Sequence, residues 1–135
     1  FHKEKDWKDV LRRKDIKTIA IANPDIAIYG KSAIISLKRT GLIESVRMKF
    51  IQSTDLAQVF QYACTGSVDM GFCNLFQAYS EQGRNGYFFK IKEAPPVIHS
   101  ACILKRSRNQ ETAEMFAAFL ISQDAEKIKR KYGYK

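Results

Sequence analysis

The sequence has no long apolar run. A helix needs about 20 apolar residues to cross a bilayer, so we expect no membrane insertion. The sequence also lacks internal repeats and low-complexity tracts. A chain of 135 residues with 45% hydrophobic and 27% charged residues has the composition of one compact globular domain. The first residue is Phe1, in a charged stretch unlike a signal peptide, which indicates a fragment of a longer protein.

Histidine is scarce, and the residues needed for catalysis do not occur in a suitable arrangement. The only histidines, His2 and His99, are far apart in the sequence. Glu111 and Glu114 form the single Glu-x-x-Glu pair, which is most simply the solvated face of a helix. Because no nucleophile stands out beside a base, we predict that the protein is not an enzyme and needs no cofactor.

Cysteine is also sparse, with Cys64, Cys73 and Cys102 forming no CxxC pair and having no histidine at ligand spacing. This pattern argues against a metal site. The odd number leaves at least one free thiol. Each cysteine lies among apolar residues of a predicted helix or strand, so we expect all three to be buried structural positions.

Acidic residues are outnumbered, since 23 Lys and Arg against 14 Asp and Glu give a net charge of +9. Such a balance is compatible with nucleic acid, an anionic membrane surface or a small anion as partner. The basic residues are spread over every segment, and no basic–aromatic RNA-binding signature or finger spacing accompanies them. We therefore interpret the charge as a solvated basic surface and predict no nucleic-acid partner.

Apolar periodicity predicts alternating strands and helices in the first half of the chain. Strands are predicted over residues 18–22, 46–51 and 68–73. Between them, amphipathic helices run from Gly30 to Gly41 and from Asp55 to Gly66, with a glycine ending each. Two successive βαβ units of this kind predict an α/β fold with a parallel sheet and right-handed crossovers.

The second half of the chain has weaker periodicity. The predicted elements are a helix over 75–82, a turn over 83–86, strands over 87–91 and 98–104, and helices over 111–120 and 124–131. The segment Ala94-Pro95-Pro96 is predicted to be an extended connector between two lobes, because proline disfavours helix at and before its own position.

Two predicted loops, at residues 23–30 and 52–56, join the carboxyl end of a strand to the start of a helix. Ligands of open α/β sheets bind at this edge, and helix N-termini attract anions. Two such loops can therefore hold one anion between them. The alternative is that Ser53, Thr54 and Asp55 only cap a helix.

Four motifs follow one another in a characteristic order. They are IAIANP with IYGKSA at 19–24 and 28–33, STDL at 53–56, TGSVDMGF at 65–72, and the stretch 113–120 followed by KYGY at 131–134. Together they resemble the periplasmic molybdate-binding proteins of ABC transporters, with their A-N-P … P-Y-G-R-A-A, T-G-x-A-D-x-G-F and A-x-x-F-x-x-F-L … Y-G-F segments. The resemblance extends over residues 16–135, and it departs from the family at Ile28, where proline is usual.

The resemblance implies a type II periplasmic binding fold, with two lobes joined by a hinge. It also implies a tetrahedral oxyanion, molybdate or tungstate, held between the lobes by backbone N–H groups and neutral side-chain donors. The anion would bind the backbone N–H groups of Tyr29 and Leu56, and the side chain of Asn74, where some members have a tyrosine. Sulfate is the alternative ligand, because it differs from molybdate mainly in radius.

The resemblance further implies a domain organisation. Residues 1–14 would be the remnant of a helix or linker, residues 15–93 a complete second lobe, and residues 94–135 a return segment of the first lobe. The expected partner is the membrane permease of an ABC transporter, and the expected location is periplasmic, or exported and membrane-tethered. The alternative function is the ligand-binding effector domain of a cytosolic transcription regulator with the same fold, although no helix-turn-helix is found.

Overall fold

The computed structural model describes residue 4 and residues 6–134, and the chain divides into two compact units. Unit 1 is Phe1–Val97 and unit 2 is Ile98–Lys135. Residues 1–3, including His2, and residues 5 and 135 lie outside the described residues. The predicted organisation into residues 1–14, 15–93 and 94–135 stays a prediction.

The described residues form eight α-helices, one 3-10 helix and three short strands. The strands are β1 (Ile19–Ala22), β2 (Phe50–Ser53) and β3 (Met70–Gly71). The helices of unit 1 are α1 (Trp7–Arg12), α2 (Ile28–Arg39), α3 (Ile43–Val46), the 3-10 helix Arg47–Lys49, α4 (Leu56–Cys64), α5 (Leu75–Ala78) and α6 (Glu81–Arg84). Unit 2 contains α7 (Gln110–Leu120) and α8 (Gln123–Lys131).

The three strands form a parallel sheet in the order β2-β1-β3, which confirms the predicted α/β class. Ile19 at the start of β1 pairs with Phe50 on one side and with Met70 on the other. The central strand β1 consists of four apolar residues, and all of them are fully buried.

Helices cover both faces of the sheet, and alternate side chains of β1 therefore enter different apolar clusters. Ile19 packs in one cluster with residues of α1, α2 and α3, whereas Ala20 and Ala22 pack in the other with Val59 of α4. The small side chains on the α4 side allow this helix to approach closely. A Cβ at Gly71 would lie 3.1 Å from Val59 Cγ1, so the predicted close approach at this glycine is confirmed.

Several predicted boundaries are wrong in unit 1. The second strand begins only at Phe50, because the preceding residues continue as α3 and the 3-10 helix. The helix predicted over 75–82 is two helices, α5 and α6, because Asn74 caps the first and Ser80 caps the second. The turn predicted over 83–86 is partly helical, since Gly83 and Arg84 end α6.

The strands predicted over 87–91 and 98–104 are also wrong, since no strand is described in either segment. Phe89 and Ile91 pack against the core cluster without a neighbouring strand to pair with. In the later segment, Ile98 is 83% exposed. Apolar residues of high β propensity form a strand only where a sheet edge offers hydrogen-bond partners. His99, predicted in that strand, is exposed, with its ring 5.9 Å from that of Tyr134.

The predicted helices of unit 2 are confirmed, but their apolar side chains are poorly covered. No residue of α7 is buried. The large apolar side chains exposed among the described residues of the unit are Ile98, Ile103, Leu104, Met115, Phe116, Phe119, Ile121, Ile128 and Tyr134. Within unit 2, therefore, the apolar stripe of α7 has little to pack against.

The prediction that the three cysteines are buried is wrong. Cys64, Cys73 and Cys102 are free and exposed. Cys64 is the last residue of α4, while Cys73 and Cys102 lie outside strands. Although residue 73 is exposed, protein atoms around its sulfur remove enough hydration to raise the pKa of the Cys73 thiol to about 11. This thiol is therefore protonated at neutral pH.

Candidate functional site

Three loops leave the same edge of the sheet, at the carboxyl ends of its strands. Ala22 and Ser53, the last residues of β1 and β2, pair with each other. Beyond them, the Asn23 N–H donates to the Ser53 carbonyl oxygen at 2.8 Å. On the other side of β1, the Phe72 N–H donates to the Ala20 carbonyl at 3.0 Å. Because the strands are parallel, the starts of α2, α4 and α5 all follow this edge.

The loop from β1 to α2 is a tight turn organised by Asn23. Its side-chain Oδ1 accepts from the Asp25 N–H at 3.0 Å, and its carbonyl accepts from the Ala27 N–H at 2.8 Å. Ala27 then occupies the N-cap position of α2. Alanine carries no side-chain acceptor, so Ala27 makes no side-chain capping bond to the start of the helix. Tyr29 is the second residue of α2.

Gly30 explains how closely the start of α2 approaches the sheet. A Cβ at this position would lie 2.0 Å from the Ala22 carbonyl oxygen and 2.7 Å from the Ala22 carbonyl carbon. Only glycine therefore allows the first turn of α2 to rest on the end of β1. This contact fixes Tyr29 at the sheet edge.

The start of α4 is capped, as predicted. The Asp55 carboxylate accepts from the Gln58 N–H at 2.9 Å, and the Ser53 hydroxyl donates to the Asp55 carbonyl at 2.7 Å. Leu56 is the first residue of the helix. The capping bond uses an N–H later in the first turn, so capping at Asp55 and an anion at the Leu56 N–H are compatible.

The start of α5 lies beside that of α4. Asn74 Oδ1 accepts from the Gln77 N–H at 2.8 Å, and the Gln77 side chain accepts from the Asn74 N–H at 3.4 Å, a complete capping box. Gln77 Nε2 also donates to the Leu56 carbonyl at 3.3 Å. With Oδ1 engaged in the cap, Asn74 can offer a ligand only its amide Nδ2 as donor.

The structure thus brings Tyr29, Leu56 and Asn74 to one edge of the sheet, each at the start of a helix. Sequence reasoning missed Gln77, which ties α4 and α5 together. The spacing Asn-x-x-Gln at 74–77 is the signal that could have predicted its capping bonds with Asn74, but not its bond to the Leu56 carbonyl.

Among the residues described, no group of three or more His, Cys, Asp and Glu is placed to hold a metal ion. An open groove of about 460 Å³ runs along the outer face of α2. It is lined by Pro24, Asp25, Lys31, Ile34, Ile35 and Lys38. The groove contains none of the three predicted site residues, although Pro24 and Asp25 belong to the loop from β1 to α2.

Comparison with known proteins identifies relatives over the whole chain. The model of a family described as bacterial extracellular solute-binding protein matches residues 2–135. The molybdate-binding protein ModA of Rhodobacter capsulatus is 29% identical over 129 residues, covering 96% of this chain and 51% of that protein. ModA of Azotobacter vinelandii is 30% identical over 132 residues, covering 96% of this chain and 52% of that protein.

A solved structure has the same fold. The periplasmic molybdate-binding protein of Azotobacter vinelandii superposes with a TM-score of 0.81 at 26% identity, over 93% of this chain and 57% of that one. The chain thus spans about half the length of the curated relatives it matches. Within the described residues, the helices are all too short or too polar to cross a membrane.

Proposed function

Because this chain belongs to the family of bacterial extracellular solute-binding proteins, we propose that it is part of the binding component of an ABC transporter for molybdate or tungstate. The family consists of solute-binding proteins rather than enzymes. The observation that carries the proposal is the convergence of three helix starts, at Tyr29, Leu56 and Asn74, on the carboxyl edge of one parallel sheet. This is the edge at which open α/β sheets bind ligands.

The proposed ligand contacts follow from the chemistry of helix N-termini. Main-chain N–H groups of the first turn point out of the helix end, where the helix dipole is positive. The N–H groups of Tyr29 and Leu56 would each donate to one oxygen of the anion, and Asn74 Nδ2 would donate to a third. Fixed neutral donors suit a dianion, because the hydrogen bonds are charge-assisted and need no titrating partner.

Selectivity among oxyanions would come from the size of the site. Molybdate and tungstate have longer metal–oxygen bonds than the sulfur–oxygen bonds of sulfate, so donors spaced for the larger anions leave sulfate with stretched contacts. A buried donor left without a good acceptor is costly, which is how hydrogen-bonding sites reject analogues.

We also propose that residues 15–93 are the second lobe and that residues 94–135 return to a first lobe completed elsewhere in the protein. The exposed apolar stripe of α7 supports this organisation. Phe116 is 60% exposed and Met115 is 68% exposed, although phenylalanine and methionine are among the residues most often buried in folded proteins. In the proposed organisation, the rest of the first lobe covers this stripe.

The relatives support two further proposals. The partner would be the membrane permease of an ABC transporter, which receives the anion from the closed binding protein. The location would be periplasmic, or exported and membrane-tethered.

Calorimetry on the full-length protein with molybdate, tungstate, sulfate and phosphate tests the proposed function. We expect one anion per protein, with molybdate and tungstate bound at least about tenfold more tightly than sulfate, a difference of about 1.4 kcal/mol. A protein that binds none of the four, or that binds sulfate most tightly, would contradict the proposal.

A further inference from the structure

Glu93 ties the end of unit 1 to two helices. Its carboxylate oxygens accept from the Trp7 indole N–H at 3.3 Å and from Lys8 Nζ at 3.1 Å. Its main-chain carbonyl accepts from the Arg39 guanidinium at 2.8 Å. Trp7 and Lys8 lie in the first turn of α1, and Arg39 is the last residue of α2. We call these three bonds to Glu93 the anchor.

The anchor rests on the core of unit 1. Trp7 is only 5% exposed, and the edge of its ring packs against Phe72 with centroids 6.4 Å apart. Phe89 and Ile91, just before Glu93, pack against the same apolar cluster. Glu93 is therefore bonded through both its side chain and its main chain, next to the apolar core of unit 1.

The segment directly after Glu93 is rich in proline. Residues 94–97 contain Pro95 and Pro96, which have no N–H to donate, and unit 1 ends at Val97. After Glu93, the Ala94 N–H still donates to the Ile91 carbonyl at 3.4 Å, and the chain then continues through Pro95 and Pro96 towards unit 2.

We propose that Glu93 is a positioning residue that fixes where the chain leaves unit 1, so that relative movement of the units arises beyond Glu93 and not within the part of unit 1 that precedes it. This inference rests on the proposed function, because capture of an anion between lobes requires such a movement. Helix α2 connects the proposed anion-binding edge with the anchor, since Tyr29 lies in its first turn and Arg39 is its last residue. Its 12 residues span about 18 Å.

Two native cysteines allow the movement to be measured. Spin labels on Cys64 in unit 1 and Cys102 in unit 2, in a Cys73→Ser background, give the distribution of the distance between the units. We expect Glu93→Ala to widen this distribution in the absence of any ligand. Glu44→Ala is the matched control, because it also removes a carboxylate that forms an ion pair. The exposed Glu44 carboxylate on α3 lies 3.1 Å from the Arg47 guanidinium of the 3-10 helix. A distribution for Glu93→Ala as narrow as that of the control would overturn the proposal.

Trp7 reports on the anchor itself, because it is the only tryptophan of the chain. A shift in its emission in Glu93→Ala, with retained helix content, establishes that the anchor has opened in a folded protein. If Glu93→Ala does not fold, Glu93→Gln carries the test. It keeps the size of the side chain and an acceptor for Trp7, but it loses the charge that pairs with Lys8, and it too should widen the distribution.

Binding measurements separate this proposal from the proposed function. A widened distribution in a protein that binds no oxyanion would leave the positioning role intact and remove the proposed function. Tight oxyanion binding together with an unchanged distance distribution in Glu93→Ala would support the proposed function and remove the positioning role of Glu93.

Discussion

At the scale of single residues, Asp69 holds the start of β1 in place. Its Oδ2 accepts from the Lys17 N–H at 2.7 Å, the Thr18 N–H at 2.8 Å and the Thr18 hydroxyl at 3.0 Å. These bonds hold the pKa of Asp69 below its ordinary value of 3.8, and the bond from the Thr18 N–H has the largest effect. The aspartate of the TGSVDMGF motif is thus a structural residue, which connects β1 to the segment before β3.

The direction of this pKa shift predicts a pH dependence of stability. A lowered folded-state pKa stabilises the protein above the unfolded-state pKa, and this contribution is lost as the pH falls through the folded-state pKa. We expect Asp69→Ala to lower the free energy of unfolding at pH 7 and to flatten its decline below about pH 4, the range set by the ordinary aspartate pKa. Urea unfolding between pH 2 and pH 7 measures this, with the exposed Asp25→Ala as control. Parallel pH profiles for Asp69→Ala and the wild type would show that the carboxylate has no such role.

Gly30 gives a second prediction at this scale. Because an added Cβ would lie 2.0 Å from the Ala22 carbonyl oxygen, Gly30→Ala must displace the start of α2. We expect a loss of about 1–3 kcal/mol in the free energy of unfolding, as for other overpacked sites. Gly86→Ala is the matched control, since its Cβ would meet only the Gly83 carbonyl oxygen, at an ordinary 3.6 Å. Equal unfolding midpoints for the two variants would contradict the close packing described here.

At the scale of elements, the first half of the chain was predictable because its periodicity is strong. The strand β1 and the helices α2 and α4 carry apolar residues at the spacing of their own structure, and Gly41 and Gly66 end the two helices with φ of 68° and 70°. The segments 87–91 and 98–104 were mispredicted, because strand formation depends on a partner that local sequence does not reveal. The short α3 was missed for a related reason: Val46 is held in a helix by packing in the core cluster.

The candidate site was predictable in part at this scale. Positions after strands and before helices indicated the loops at residues 23–30 and 52–56, whereas the choice of Tyr29, Leu56 and Asn74 within or near them depended on the family resemblance. Gln77 makes the contact that holds α5 beside α4, and a bond between two residues 21 positions apart leaves no periodic trace in the sequence.

Gln77 therefore gives a prediction about the arrangement of the elements. Gln77→Ala removes the reciprocal capping bond to Asn74 and the bond to the Leu56 carbonyl. We expect a loss of about 1–3 kcal/mol in stability, since each of the two lost hydrogen bonds contributes about 0.5–1.5 kcal/mol, and weaker oxyanion binding. Gln82→Ala, an exposed glutamine of α6, serves as control in thermal unfolding and calorimetry. If the two variants behave alike in both measurements, the link between α4 and α5 is unimportant.

At the scale of the whole molecule, the proposed organisation predicts that the two units do not suffice for tight binding. The chain spans about half the length of its curated relatives, and donors of the remaining first lobe would complete the site. We expect the 135-residue chain to bind molybdate at least about a hundredfold more weakly than the full-length protein, since two missing charge-assisted hydrogen bonds contribute about 3 kcal/mol or more. Titration calorimetry on both proteins measures this, and equal affinities would refute the organisation into lobes.

The central claim is that main-chain N–H groups at helix starts hold the oxyanion, and the most direct measurement compares Leu56→Pro with Leu56→Ala in the full-length protein. Both variants shorten the side chain, but only proline removes the N–H, and proline is tolerated in the first turn of a helix. Calorimetry with molybdate should show a modest change for Leu56→Ala. For Leu56→Pro we predict a loss of about 1.5–3 kcal/mol, or roughly tenfold to over a hundredfold in affinity. A folded Leu56→Pro variant that binds molybdate as tightly as Leu56→Ala would contradict the claim.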